Sequence, residues 1–135
     1  MIKISTLIHL ELEGLPPTVN HMYRTSGRYR YKTAEAREYQ NKISEQMNSL
    51  WGKSETYNQP VSLEIIFETS GSRRWDIDNR VKALQDCLSM AGIIKDDMQI
   101  NRLHVERHNR RITRTLIKLE TFEEAEDDIY REMSL

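Results

Sequence analysis

Residues 60–92 read PVSLEIIFETSGSRRWDIDNRVKALQDCLSMAG, and the pattern passes here from strand to helix. PVSLEIIFET is rich in branched and aromatic residues and begins at a proline, so 60–69 is a strand. SGSRR breaks it as a turn or flexible loop. From Asp78 the apolar period changes. Val81, Leu84, Leu88 and Ala91 recur at helical spacing, which places a helix over 78–91 with Gly92 as its stop.

Upstream, residues 2–13 alternate as a strand, with Ile2, Ile4, Ile8, Leu10 and Leu12 on one face. Thr6 and Leu7 interrupt the alternation. Pro16 and Pro17 end the strand, because proline cannot donate to a sheet ladder. The loop LPPTVNHMY follows, then a short edge strand over 28–32. Thr33 is suited to cap a helix over 34–50, with Glu35 in its first turn and Ala36, Tyr39, Ile43, Met47 and Leu50 on one face. Downstream, 101–109 and 112–119 read as strands, and the loop around Asn109 and Arg110 makes them an antiparallel hairpin. Runs of strands with two helices between them give an α+β single domain: a mixed β-sheet with two main helices packed on it.

A chain of 135 residues and 16.0 kDa is one domain's worth. No apolar run approaches the roughly 20 residues of a membrane span. The start lacks the features of a signal peptide. Cys87, the single cysteine, excludes an internal disulfide framework and a cysteine-rich zinc module, so a reducing cytoplasm is the expected compartment. On a helix with no matching histidine it reads as a packing residue. His104, Glu106 and His108 form H-V-E-R-H in a strand, which is not the helical H-E-x-x-H of a zinc site.

The net charge of −1 conceals an asymmetry. Residues 120–135 hold seven acids and one base, so residues 1–119 carry a balance of +5. The bases cluster at Arg24, Arg28, Arg30 and Lys32, at Arg73, Arg74, Arg80 and Lys82, and at Arg102, Arg107, Arg110, Arg111 and Arg114. Such groups suit either a phosphate-binding face or a solvated surface.

Asp76 and Asp78 converge only if the helix begins near Asp78, because residues two apart share a face on an extended segment and not within a helix. Lys82 then sits one turn above Asp78. The chain returns through Gly92 to Asp96 and Asp97, and one of these completes a three-carboxylate cluster. Hard cations such as Mg²⁺ take oxygen ligands of this kind, and a nearby lysine suits charge developing on a phosphate. The same residues also have a structural reading. Asp76 is then an N-cap, Asp78 a partner of the helix dipole, Lys82 its i,i+4 mate and Asp96–Asp97 a turn.

DIDNRVKALQDCLSMAGIIKDDMQI resembles the core signature of RusA-type Holliday junction resolvases. That signature has D-x-D-N, a lysine four residues past the second aspartate, an (A/C)-L-x-x-(A/M)-G helix end and a D-D pair. LPPTVNHMY resembles the family's Pro-Pro-x-x-Asn-x-x-Tyr loop. The order and spacing match over most of residues 3–119. The resemblance implies a RusA-like endonuclease domain over 1–119, with 120–135 an acidic tail or short helix. It implies a homodimer that cuts four-way DNA junctions by paired nicks, using Mg²⁺ with Mn²⁺ as a substitute. Asp76, Asp78 and Asp97 are the implied metal ligands, and Lys82 completes the catalytic set. Asn79 and Asp96 are expected to support the carboxylates. Arg73, Arg74, Arg80, Asn20 and Tyr23 are expected at the DNA. The rival readings are a catalytically idle branched-DNA-binding module and a metal-dependent nuclease with another DNA substrate.

Overall fold

The computed structural model describes residues 4–52, 54–71, 75–124 and 128–134. In chain order these form β1 (Thr6–Glu13), the single helical turn α1 (Val19–Met22), β2 (Tyr23–Ser26), β3 (Tyr29–Lys32) and the long helix α2 (Ala34–Trp51). Next come β4 (Val61–Thr69), a 3-10 turn at Ile77–Arg80, α3 (Val81–Met90), and a second 3-10 turn at Asp97–Gln99. β5 (Ile100–Asn109), β6 (Arg114–Thr121) and α4 (Asp128–Met133) complete the order. The main sheet is mixed, ordered β1-β6-β4-β5, with β4 parallel to β5 and antiparallel to β6.

β4 explains the order. Val61, Leu63, Ile65 and Phe67 are fully buried on one face, opposite Leu119 and Ile117 of β6. Its other face carries Glu64 and Glu68, which pair with Lys118 and Arg114 of β6. A strand covered on both faces belongs inside a sheet. β5 is exposed along most of its length and takes the edge. The expected β5–β6 hairpin is therefore absent. The two strands are antiparallel, but β4 lies between them, and the connection crosses its end through Arg110 N–H to the Thr69 carbonyl (2.8 Å).

Three other expectations shift. The edge strand over 28–32 is one arm of a separate β2–β3 hairpin, because Gly27 has the positive φ (61°) that a tight turn needs. The interruption at Thr6 and Leu7 is a β-bulge, so Ile4 falls outside the buried face and is exposed. Leu50 is also exposed, while Trp51, one residue on, packs against the core.

α2 and α3 cover the apolar face of the sheet. Thr33 caps α2, its hydroxyl accepting from Ala36 N–H (3.1 Å). α3 ends at Gly92 (φ 75°), with Ile93 N–H to Leu88 O (3.2 Å) and Gly92 N–H to Ser89 O (3.1 Å). That bond pair closes the helix and buries Ile93 beside Leu88. α3 is buried on two sides. Val81, Leu84 and Leu88 join the main core, while Ala83 packs with Met22 of α1 and Ala36 of α2.

Phe67 ties this core to the loop that follows β4, its ring meeting Trp75 edge-on at 5.3 Å. Phe67→Ala should cost about 3–5 kcal/mol. A thermal scan should show the midpoint falling by more than about 10 °C. β6 continues to Thr121, past the first residue of the acidic stretch, and Phe122 N–H still bonds the Pro60 carbonyl (3.1 Å). No described helix is long and apolar enough to cross a membrane.

Candidate active site

Trp75 anchors the segment that carries the first two aspartates. The Arg80 and Arg107 guanidinium groups lie 4.9 and 5.1 Å from its ring centre. Arg107 also donates to the Trp75 carbonyl, which ties the segment to β5. Arg80 Nη1 donates to the Pro16 carbonyl (2.5 Å), which ties it to the Pro-Pro loop. Asp76 is the last extended residue (φ −69°, ψ 133°), and Asp78 lies in the first turn that follows. Both are exposed. Asp76 accepts no side-chain cap bond, and no described group donates to either carboxylate. Two exposed carboxylates with no partner among the described residues, two positions apart where an extended segment turns into a helix, are available to a cation.

Lys82 projects from the first turn of α3. Its Nζ lies 3.0 Å from Asp97 Oδ2 and 3.0 Å from Asp86 Oδ1. Two carboxylates raise the lysine's pKa above its ordinary value, so its charge is constant through any assay range. In return the Lys82 ammonium holds the Asp97 carboxyl below the usual carboxylate range. The pairing runs forward along α3 to Asp86 and not back to Asp78.

Asp86 is itself held. Its Oδ2 accepts from Gln40 Nε2 (3.2 Å), and Gln40 Oε1 accepts from Lys32 Nζ (2.6 Å). Gln40 is buried in α2. A polar chain therefore runs Lys32–Gln40–Asp86–Lys82–Asp97 from the hairpin base to the second aspartate pair. Asp86→Asn should leave the fold intact and slow any reaction that uses Lys82 by about 10-fold, as supporting partners do. Rate and melting temperature measured side by side check this.

Asp96 caps the second 3-10 turn. Its Oδ1 accepts from Met98 N–H (2.8 Å), and the Gln99 side chain accepts from Asp96 N–H (3.1 Å). Gln99 also donates to the Tyr57 and Gln59 carbonyls (2.8 and 3.0 Å). Asp97 is thus displayed on a rigid turn. Asp86, Gln40 and Gln99 were not singled out from the sequence. Asp86 stands four residues after Lys82, Gln99 completes a D-x-x-Q capping pattern, and Gln40 is a polar residue on the apolar face of α2.

The remaining candidates are dispersed. Arg73 and Arg74 lie outside the described residues. Arg80 is half-buried with its guanidinium on Trp75 and Pro16. Asn79 is half-buried and donates its backbone N–H to the Asp76 carbonyl (3.0 Å). Asn20 and Tyr23 line a cleft of ≈ 490 Å³ beside the start of α2, together with Arg24 and Glu35. The Tyr23 ring is covered by Arg30, whose guanidinium carbon is 4.0 Å from its centre. Burial pushes the Cys87 thiol up to about 12, so it is no nucleophile at neutral pH. Among the described residues no three acidic, histidine or cysteine side chains stand close enough to hold a metal ion.

Residues 13–120 match the family model of endodeoxyribonuclease RusA. The chain belongs to the RusA endodeoxyribonuclease family. It is 29% identical over 93 residues to a crossover junction endodeoxyribonuclease of Enterobacteria phage HK97, covering 68% of this chain and 76% of that one. It is 27% identical over 125 residues to the crossover junction endodeoxyribonuclease RusA of Aquifex aeolicus (strain VF5), covering 91% and 98%. The RusA match spans Asp76, Asp78, Lys82 and Asp97 and stops within β6, before α4. The chain is therefore a nuclease that hydrolyses phosphodiester bonds in DNA.

Proposed function

We propose that the chain resolves four-way DNA junctions by paired nicks, as a homodimer dependent on a divalent cation, Mg²⁺ or Mn²⁺ in its place. The observation that carries this reading is the pair of exposed carboxylates at Asp76 and Asp78, without partners among the described residues, ahead of a lysine fixed by Asp86 and Asp97. Both relatives are named for crossover junctions, and a junction with two-fold symmetry presents two equivalent strands to a two-fold dimer.

The donor chemistry suits a hard cation. All three candidate ligands are carboxylates, and Asp97 commits only Oδ2 to Lys82. Asp76, Asp78 and Asp97 would hold the ion by closing on it from their separate positions, with water completing its shell, since Mg²⁺ takes few protein carboxylates directly. Bound there, it supplies an activated water and charge neutralisation at the scissile phosphate. Lys82 sets a fixed positive charge toward the phosphate oxygens. Asn79 and Asp96 hold the backbones of the two aspartate turns. Arg80 keeps the D-x-D turn against the Pro-Pro loop, and Arg73 and Arg74, which precede that turn in the sequence, are assigned to phosphate contacts. Asn20 and Tyr23 shape the neighbouring cleft. The enzyme works in the cytoplasm, and the acidic segment after β6 is an appendage to the nuclease domain.

Metal removal tests the cation directly. With excess EDTA, junction cutting should fall below detection while gel-shift binding persists. Mg²⁺ or Mn²⁺ should restore it. Undiminished cutting in EDTA would contradict the role given to the three aspartates.

A further inference from the structure

The β2–β3 hairpin is a strongly basic segment. Its ten residues, Tyr23–Lys32, hold four cations, three tyrosines and no acid. It stands apart from the main sheet and touches the body at its base. That base is fixed. Met22 is fully buried against Ala36 and Ala83, Thr33 N–H bonds the Met22 carbonyl (2.9 Å), and the Thr33 hydroxyl donates to the His21 carbonyl (2.8 Å). α1, just before the hairpin, packs on the 3-10 turn of Asp78. The hairpin is therefore rigidly placed relative to the carboxylates.

Its register separates two faces. Tyr23 stands opposite Lys32 and Thr25 opposite Arg30 on the inner face. There the polar groups are spent, with Arg30 lying on the Tyr23 ring and Lys32 bonding Gln40. Arg24 stands opposite Tyr31 and Ser26 opposite Tyr29 on the outer face, with Arg28 at the tip. Tyr29 is 79% exposed and Tyr31 48%. Arg24 and Arg28 are exposed and have no acidic partner among the described residues.

A protruding ribbon with cations and flat aromatic rings on one side fits a polyanion that also presents flat apolar faces. Duplex DNA offers phosphates but hides its base faces in the stack. A branch point exposes them, and base–aromatic stacking is sequence-tolerant. We propose that the outer face of the hairpin, through Tyr29 and Tyr31 with Arg24 and Arg28, seats on DNA at the branch point and supplies the preference for branched over linear DNA. This rests on the junction reading above and names the element that selects the substrate.

The test compares affinities for a synthetic four-way junction and a linear duplex of the same sequence, by fluorescence anisotropy, using the full chain. Tyr29→Ala/Tyr31→Ala should weaken junction binding at least about 10-fold and change duplex binding less than about 2-fold. Tyr29→Phe/Tyr31→Phe should keep junction affinity, since the ring faces do the stacking. Arg24→Gln/Arg28→Gln should weaken both substrates and lower the salt slope by about 2. A melting curve for each variant separates unfolding from lost contact. If the wild type prefers the junction and the alanine pair does too, the hairpin proposal fails alone. If the wild type shows no preference, the junction reading fails and takes this proposal with it. Equal loss on both substrates would make the hairpin a general DNA contact and overturn its selective role.

Discussion

Asp78→Asn is expected to bind a four-way junction at near wild-type affinity and to cut it at least 100-fold more slowly. The affinity should hold because the basic groups that meet the phosphates are untouched. Stability should hold as well. The Asp78 side chain is exposed and has no described partner, and such surface replacements stay within about 0.5 kcal/mol. The rate should collapse because asparagine keeps the shape and loses the negative charge a hard cation needs. Loss of a supporting residue alone costs about 10–100-fold, so loss of a direct ligand lies at or beyond that range. Single-turnover cleavage with saturating enzyme separates the rate from the affinity. Cutting within a few-fold of wild type would remove Asp78 from the metal site.

Lys82→Met should be the second severe variant. It keeps much of the stem and removes the charge. A fixed cation facing a phosphoryl transition state is worth on the order of 10²–10³ in rate, by analogy with removing one oxyanion donor. The stability cost should stay near or below about 1 kcal/mol, because the Lys82 and Asp97 side chains are 41% and 35% exposed and water screens the pair. Lys82→Arg should not rescue the rate, since a planar guanidinium cannot take the place of a compact ammonium between Asp86 and Asp97. Asp97 should regain an ordinary carboxyl titration in Lys82→Met, which NMR of the carboxyl carbon would read. A Lys82→Met enzyme with normal kcat would show that the lysine is only a structural partner of α3.

The elements that position the site are the ones the residue pattern marks most clearly. β4 and α3 are bounded by Pro60 and Gly92, and their apolar periods differ, so strand and helix are readable in turn. The sheet order is not readable from the same residues. β5 and β6 are adjacent in sequence and joined by a short loop, which favours a hairpin locally. The central place of β4 follows from burial on both faces, where the outer Glu68 is covered through its pair with Arg114 at 2.7 Å. That is a long-range fact with no local marker.

The site divides in a similar way. Asp76, Asp78, Lys82 and Asp97 stand out by spacing. The groups that hold them come from distant segments: Gln40 from α2, Pro16 from the loop after β1, and Arg107 from β5. The Trp75 ring, contacted by both Arg80 and Arg107, shows why the arginines near the D-x-D run cannot all be read as phosphate contacts. Arg80 and Arg107, from two different basic groups, have packing roles that charge counting does not reveal.

The most direct measurement is cleavage of a synthetic mobile four-way junction beside a linear duplex of the same sequence, with Mg²⁺ and with EDTA. The expected result is paired, symmetric nicks confined to the junction and present only with the metal. Equal cutting of the linear duplex would contradict junction resolution while leaving a nuclease, and binding without cutting would contradict the catalytic role of the aspartates.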